Sequence, residues 1–182
     1  MAEEYVGRKF RTKFLSKFSA GGSAAESIVA VGRKLNEMGL TPENAGNISV
    51  RTEKGMLITP GGKNKGQLTP GGIVEVREFK NRTAHVVGSV EPSSEVPMHW
   101  LIYQKYPKVN AVIHAHDSLA VKNPLGLVVT DRVHPYGTLS QARDVVEALG
   151  KSNYIVIRRH GVVAVGATLE EAFKLIQRVY CR

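Results

Sequence analysis

The residues of this chain best placed to do chemistry are three histidines. In Val112-Ile113-His114-Ala115-His116, two of them stand two apart in a run of strand character, and a strand turns residues i and i+2 to the same face. Both imidazoles can then reach one ion. The third, His160, closes a second apolar run and is followed by Gly161, so it sits where a strand ends and a side chain can project into a site. Three imidazoles on one divalent ion leave a coordination position open. That is the pattern of catalytic zinc (Zn2+) rather than of a structural site closed by four protein ligands. The plainer interpretation is that His114 and His116 are half-buried strand residues and His160 a loop histidine, and a His-x-His pair alone does not separate the two. His85, His99 and His134 read as surface or packing residues, or as partners standing behind a ligand.

Glu95 is the carboxylate to set beside them, because it falls in the first turn of a helix expected just before the His114 strand. An acid there also meets the positive end of the helix dipole without any catalytic task. Its neighbours Ser93 and Ser94 add two hydroxyls and free backbone N–H groups at the same helix start, a ready arrangement for phosphate. An acid beside an anion site calls for a nearby cation. The turn Thr59-Pro60-Gly61-Gly62 follows a strand, and its glycines let backbone amides approach an anion closely. Its near-copy Thr69-Pro70-Gly71-Gly72 reads as an ordinary turn. Asn47, in Ala45-Gly46-Asn47-Ile48-Ser49-Val50, would add an amide donor to the same oxygens.

The elements that position these groups alternate between helical and strand patterns, without internal repeats or low-complexity tracts. Tyr5, Phe10, Phe14 and Phe18 lie at about helical spacing among basic residues from Arg8 to Lys17, which predicts an amphipathic first helix. Ser23 with Glu26 forms a capping-box pattern, and Ile28, Val31, Leu35 and Met38 recur on one face, predicting a helix from Ser23 to Met38 that stops at Gly39. Four β-rich runs follow, Ile48–Arg51, Met56–Thr59, Ile73–Arg77 and His85–Val90, separated by Gly-rich turns and predicting an antiparallel meander. A helix opening near Ser93 or Ser94 ends before Pro107, and a buried strand runs from Val109 to His116. Leu139, Ala142, Val146 and Leu149 mark a helix ending at Gly150. Tyr154–Ile157 and Val162–Val165 read as strands, and Thr168 with Glu171 caps a last helix.

Taken whole, 182 residues at 42% hydrophobic and 23% charged suit one α/β domain over residues 1–182 with its own core. No apolar stretch approaches the roughly 20 residues of a membrane helix, so no membrane partner is expected. The N-terminal Met1-Ala2-Glu3-Glu4 has no signal-like apolar core, and the single Cys181 has no partner for a disulfide. Both point to the cytoplasm, and the lone cysteine leaves metal chemistry to histidine and carboxylate. The net charge of +9 suits a phosphorylated metabolite or mere solubility as well as nucleic acid, and the amphipathic pattern around the basic cluster argues against nucleic acid.

Together these motifs resemble the class II aldolase/adducin family. The resemblance runs through Gly46-Asn47-Ile48-Ser49-Val50-Arg51, Leu57-Ile58-Thr59-Pro60-Gly61-Gly62, Ser93-Ser94-Glu95, His114-Ala115-His116, His160-Gly161 and Gly166-Ala167-Thr168-Leu169-Glu170-Glu171-Ala172. It implies an α/β/α domain with a central, mainly antiparallel sheet, assembled as a homotetramer. Zinc would sit on His114, His116 and His160, with Glu95 as the acid/base residue. Asn47, Gly61, Gly62, Ser93 and Ser94 would form the phosphate cradle. The activity implied is cleavage of a ketose 1-phosphate, similar to L-fuculose 1-phosphate, into dihydroxyacetone phosphate and an aldehyde. An epimerase, decarboxylase or dehydratase on the same scaffold, or a non-catalytic adducin-like domain, are the alternatives. Three departures stand out. The family's proton-donating tyrosine, in the segment after the His-x-His strand, has no counterpart between Asp117 and Val133, and Tyr136 is the nearest candidate. Asn44 stands where the family often has threonine, and the sequence closes at Arg182 without a substrate-covering tail.

Overall fold

Alternating apolar residues along the strands decide how the layers stack. A computed structural model describes residues 7–18 and 21–181. Its strands are β1 (Arg11–Ser16), β2 (Asn47–Thr52), β3 (Gly55–Ile58), β4 (Val74–Lys80), β5 (Thr83–Val87), β6 (Ala111–Ala115), β7 (Val128–Val129), β8 (Tyr154–Ile157) and β9 (Gly161–Gly166). They form one sheet in the order β1-β5-β4-β3-β2-β6-β9-β8-β7. Only the two edge pairings, β1 with β5 and β7 with β8, are parallel. The mainly antiparallel α/β sheet expected from the sequence is therefore present, and β2 to β5 form the anticipated meander.

Among the described residues five α-helices cover the sheet: α1 (Ser23–Glu37), α2 (Val96–Lys105), α3 (Ser118–Lys122), α4 (Leu139–Leu149) and α5 (Leu169–Tyr180). Period-2 alternation sorts each central strand between two cores. Ile48, Ile113, Ala115, Val162 and Ala164 pack with Ile28 and Leu35 of α1 and Phe173 and Ile176 of α5. Val112, Val163, Val165 and Ile155 pack on the opposite face with Met98 and Ile102 of α2 and Val145 of α4. Strand β6 is buried along its whole length, as a strand covered on both faces must be. Complete burial of a side chain such as Ile113 is worth about 1.5–3 kcal/mol. No helix among the described residues is long and apolar enough to cross a membrane.

Three expectations are corrected. The segment from Arg8 to Lys17 is not a helix: residues 11–16 form edge strand β1, paired in parallel with β5. Phe10 and Phe14, four apart, fit a period of 2 as well as one of 3.6, and pairing with a distant strand decides between them. Tyr5 and Met1-Ala2-Glu3-Glu4 lie outside the described residues. Helix α1 has Gly22 rather than Ser23 at its N-cap, with no side-chain cap. Helix α2 begins at Val96, so Glu95 is its N-cap residue and Ser93 and Ser94 precede it. Short α3 and β7, both in the segment after the His-x-His strand, had no sequence signal strong enough to read.

The capping box of α5 forms with its reciprocal bond shifted by one residue, to the N–H before the cap. Thr168 Oγ1 accepts from the Glu171 N–H at 3.1 Å, and Glu171 Oε2 accepts from the Ala167 N–H at 2.9 Å. Thr168→Ala should lower unfolding stability by about 1 kcal/mol, whereas Ser23→Ala should change it by only a few tenths. Urea midpoints of the two variants at one pH check this, and equal losses would contradict the caps described here.

Candidate metal centre and anion cradle

Register places the site. In the antiparallel pair of β2 and β6, Asn47 stands opposite His114 and Ser49 opposite Val112, so these side chains share the face covered by α2. His116 follows directly after β6, where its N–H is held by the Leu40 carbonyl at 2.8 Å. His160 ends the tight turn between β8 and β9, and its N–H donates to the Ile157 carbonyl. Within that turn Arg159 has φ 62, a left-handed conformation that costs a non-glycine residue energy and is held by the hairpin around it. Gly161 is a steric requirement: a Cβ there would stand 2.9 Å from His114 Cε1 and press on the Ala115 carbonyl.

The three histidines converge as expected. Each offers a ring nitrogen within 4.8 Å of the others, and His114 Nε2 and His160 Nε2 are 3.1 Å apart. Two imidazole nitrogens bound tetrahedrally to one zinc ion would stand about 3.3 Å apart, given Zn–N bonds of about 2.0–2.1 Å. His114 Nδ1–H donates to the Val162 carbonyl at 2.9 Å, which fixes the tautomer and leaves the Nε2 lone pair toward the cluster. Burial pushes His114 down to about 3, against the pull of Glu95. Burial, helped by the neighbouring His160, pushes His116 down to about 4. Both rings are neutral at physiological pH, the form that binds metal. The donor set and its geometry fit a divalent cation.

Glu95 lies against this cluster and is 3% exposed. Its Oε2 is 3.2 Å from His114 Nε2 and its Oε1 is 3.6 Å from His160 Nε2. Burial works to raise its pKa, but His114, His160 and the Asn47 amide outweigh that and hold the carboxyl low, so it is ionised. Oε1 is buried without a hydrogen-bond partner. A bare carboxylate oxygen beside neutral imidazoles is costly to bury unless a cation joins them. The Glu95 side chain takes no part in capping α2, so an interaction with the helix dipole does not account for where it points.

A cavity of about 480 Å³ opens above these groups, lined by every residue assigned to the site from sequence: Asn47, Gly61, Gly62, Ser93, Ser94, Glu95, His114, His116 and His160. Their hydrogen bonds refine the picture. The Gly61 N–H is committed to the Glu91 carbonyl, so that residue supplies shape. Gly62, at φ 66, has open space where a side chain would stand. The Asn47 amide gives one N–H to Glu95 Oε2 at 2.8 Å. The second glycine turn, at Thr69–Gly72, does not line the cavity. His85 pairs with Glu78 and His134 with Asp144, away from the site.

Two lining residues were missed or left open by the sequence. Lys65 is 1% exposed, and its Nζ donates to the carbonyls of Asn44 at 2.8 Å and Lys63 at 2.6 Å. Burial pushes its pKa down to about 8 against the raising effect of Glu95. It is the only lysine or arginine lining the cavity among the described residues, yet in Lys63-Asn64-Lys65 it reads as a solvated charge. Tyr136 also lines the cavity. Its hydroxyl donates to the Gly7 carbonyl, and the Lys9 ammonium stands 4.4 Å from its ring centre.

The chain matches the family model described as Class II Aldolase and Adducin N-terminal domain over residues 26–180. It is 31% identical over 168 residues to a 5-methylthioribulose-1-phosphate/5-deoxyribulose-1-phosphate aldolase of Escherichia coli O45:K1 (strain S88 / ExPEC), covering 83% of this chain and 77% of that protein. Over 94 residues it is 38% identical to a methylthioribulose-1-phosphate dehydratase of Gluconacetobacter diazotrophicus, covering 51% of this chain and 44% of the relative. Among solved structures it resembles an L-fuculose 1-phosphate aldolase with a TM-score of 0.78 and 26% identity, over 90% of this chain and 87% of the other. With a family match over residues 26–180, most of its length, the chain belongs to the class II aldolase and adducin family.

Proposed function

We propose that this chain, a lyase of that family, is a zinc-dependent aldolase. It cleaves a ketose 1-phosphate of the L-fuculose 1-phosphate kind into dihydroxyacetone phosphate and an aldehyde. The observation that carries the reading is the ionised Glu95 carboxylate, buried against the three converging imidazoles on the floor of an open cavity. His114, His116 and His160 would hold the ion, which when bound supplies Lewis-acid polarisation of the ketose carbonyl and adjacent hydroxyl. In the condensation direction the ionised Glu95 takes the proton from the carbon beside the carbonyl. In cleavage the carboxylate receives the proton released by the hydroxyl that becomes the aldehyde oxygen and returns it to that carbon, so the proton count balances. Ser93, Ser94, Gly62 and the remaining Asn47 N–H line the same cavity and suit the phosphate, with Gly61 shaping the turn, while Lys65 supplies positive charge.

Residues 1–182 act as one domain in this reading, in the cytoplasm, and copies associate as a homotetramer by family resemblance. A dehydratase is the second reading, favoured by the 38% identical segment of the methylthioribulose-1-phosphate dehydratase. Dehydration also begins with removal of a proton beside a carbonyl, but it loses water and keeps the carbon chain whole. Intact histidines and Glu95 argue against a purely structural, adducin-like use.

The deciding experiment measures metal per chain and treats the protein with L-fuculose 1-phosphate and 5-deoxyribulose 1-phosphate, with and without chelator. Chelator-sensitive release of dihydroxyacetone phosphate supports the aldolase. Conversion of the ketose without carbon–carbon cleavage moves the reading to the dehydratase, and absence of metal after zinc reconstitution overturns both. Glu95→Gln should keep its metal while turnover falls about 10²–10⁴-fold, so wild-type turnover in that variant would remove Glu95 from the chemistry. His114→Ala should sharply lower zinc occupancy, since two imidazoles make a poorer site. Full occupancy measured by plasma mass spectrometry would mean the ligands are wrongly assigned.

A further inference from the structure

Behind Glu95 lies a row of buried polar side chains, of which the chemistry above uses only one N–H of Asn47. Asn47 Oδ1 meets His99 Nε2 at 2.5 Å, His99 Nδ1 meets Ser49 Oγ at 2.6 Å, and Ser49 Oγ meets the Tyr103 hydroxyl at 2.8 Å. All four residues are buried, and His99 and Ser49 have no exposed surface. The row exists because two periodicities match. Asn47 and Ser49 are two apart on β2, a rise of about 6.6 Å along a strand, and Glu95, His99 and Tyr103 are four apart on α2, a rise of about 6 Å along a helix. Strand and helix side chains therefore interleave from Glu95 to Tyr103.

The donors in this row are determined by its two ends. A carboxylate only accepts, so the group on Glu95 Oε2 is the Asn47 Nδ2–H. That orientation turns Asn47 Oδ1 toward His99, whose Nε2 must carry the proton. Burial pushes the His99 imidazole down to about 3 against the pull of Glu95, so the ring is neutral and its Nδ1 accepts from Ser49. The single Ser49 proton is thereby used, and Tyr103 must donate to Ser49 Oγ.

We propose that Tyr103, Ser49, His99 and Asn47 form one hydrogen-bonded chain with every donor pointing toward Glu95, and that they act as positioning residues for its proton transfer. The functional part rests on the aldolase reading; the direction of the chain does not. The chain pins Glu95 Oε2 on the protein side and leaves Oε1, which has no hydrogen-bond partner, as the oxygen turned to the reaction. Each dipole polarises the next in a dry interior, so the last N–H is a stronger donor than an isolated amide.

Two measurements on the zinc-reconstituted protein test this. In protein labelled with ¹⁵N-histidine, long-range proton–nitrogen correlations read the tautomer of each ring, with His99 assigned by the signal lost in His99→Gln. A proton on Nε2 and a lone pair on Nδ1 is expected, and a proton on Nδ1 overturns the chain. The second measurement is exchange of the carbon-bound hydrogens of dihydroxyacetone phosphate with deuterated water, which reads proton transfer without any aldehyde. His99→Leu should slow exchange about ten- to a hundredfold, with metal per chain and KM nearly unchanged. His99→Gln, whose amide can still donate to Asn47, should recover most of the rate. Equal losses in the two variants, or a loss that follows lost metal, would assign His99 to packing and overturn the positioning role. If the wild-type protein exchanges no hydrogen, the aldolase reading fails with the positioning role, while the tautomer still decides the chain's direction.

Discussion

The structure turns on one buried negative charge. Glu95 is nearly inaccessible to solvent, and a carboxylate in that position costs several kcal/mol unless charges and donors around it compensate. The compensation comes from several sides: an amide from β2, Lys65 at longer range, and a cation that the imidazoles of β6 and the β8–β9 turn would hold. No single element supplies enough. The strands must pair in one register and α2 must lie at one height for the charge to be tolerated. Folding and site assembly are therefore the same event here, since a slip of one residue in β2 would turn Asn47 and Ser49 to the opposite core.

That dependence explains why the two faces of the sheet differ. The face under α1 and α5 is almost wholly apolar near the centre. The face under α2 and α4 begins apolar but turns polar toward the ends of β2 and β6, where Asn47, Ser49 and His114 replace valine and isoleucine. Helix α2 carries the matching residues Glu95, His99 and Tyr103, and Arg51 closes the row beyond them. Its guanidinium lies 4.7 Å from the Tyr103 ring centre and donates to the Tyr103 and Tyr106 carbonyls. Satisfied polar groups in a core specify one alignment of strand and helix more sharply than apolar packing does.

Much of this was legible from local pattern. His114 and His116 follow strand periodicity, Thr168 with Glu171 follows capping logic, and the meander is punctuated by its glycines. What was not legible depends on contacts between residues distant in sequence. Phe10 and Phe14 are spaced for either a helix or a strand, and only β5, some seventy residues away, settles the matter. Lys65 looks solvated because nothing local announces that Asn44 and Lys63 will surround its ammonium. Asn47 was read as a phosphate donor from its neighbours, whereas its closest partners are Glu95 and His99, brought to it by the packing of α2 on β2.

The two ends of the sheet have a consequence for growth. Strand β7 is only two residues long, and β1 presents Arg11 and Lys13 outward among exposed positions. A short strand offers few free backbone groups to a newcomer, and charged side chains on an edge resist a second sheet laid alongside. Among the described residues the sheet ends at these two strands, and margins of this kind resist the fusion of sheets from separate copies into a continuous ribbon.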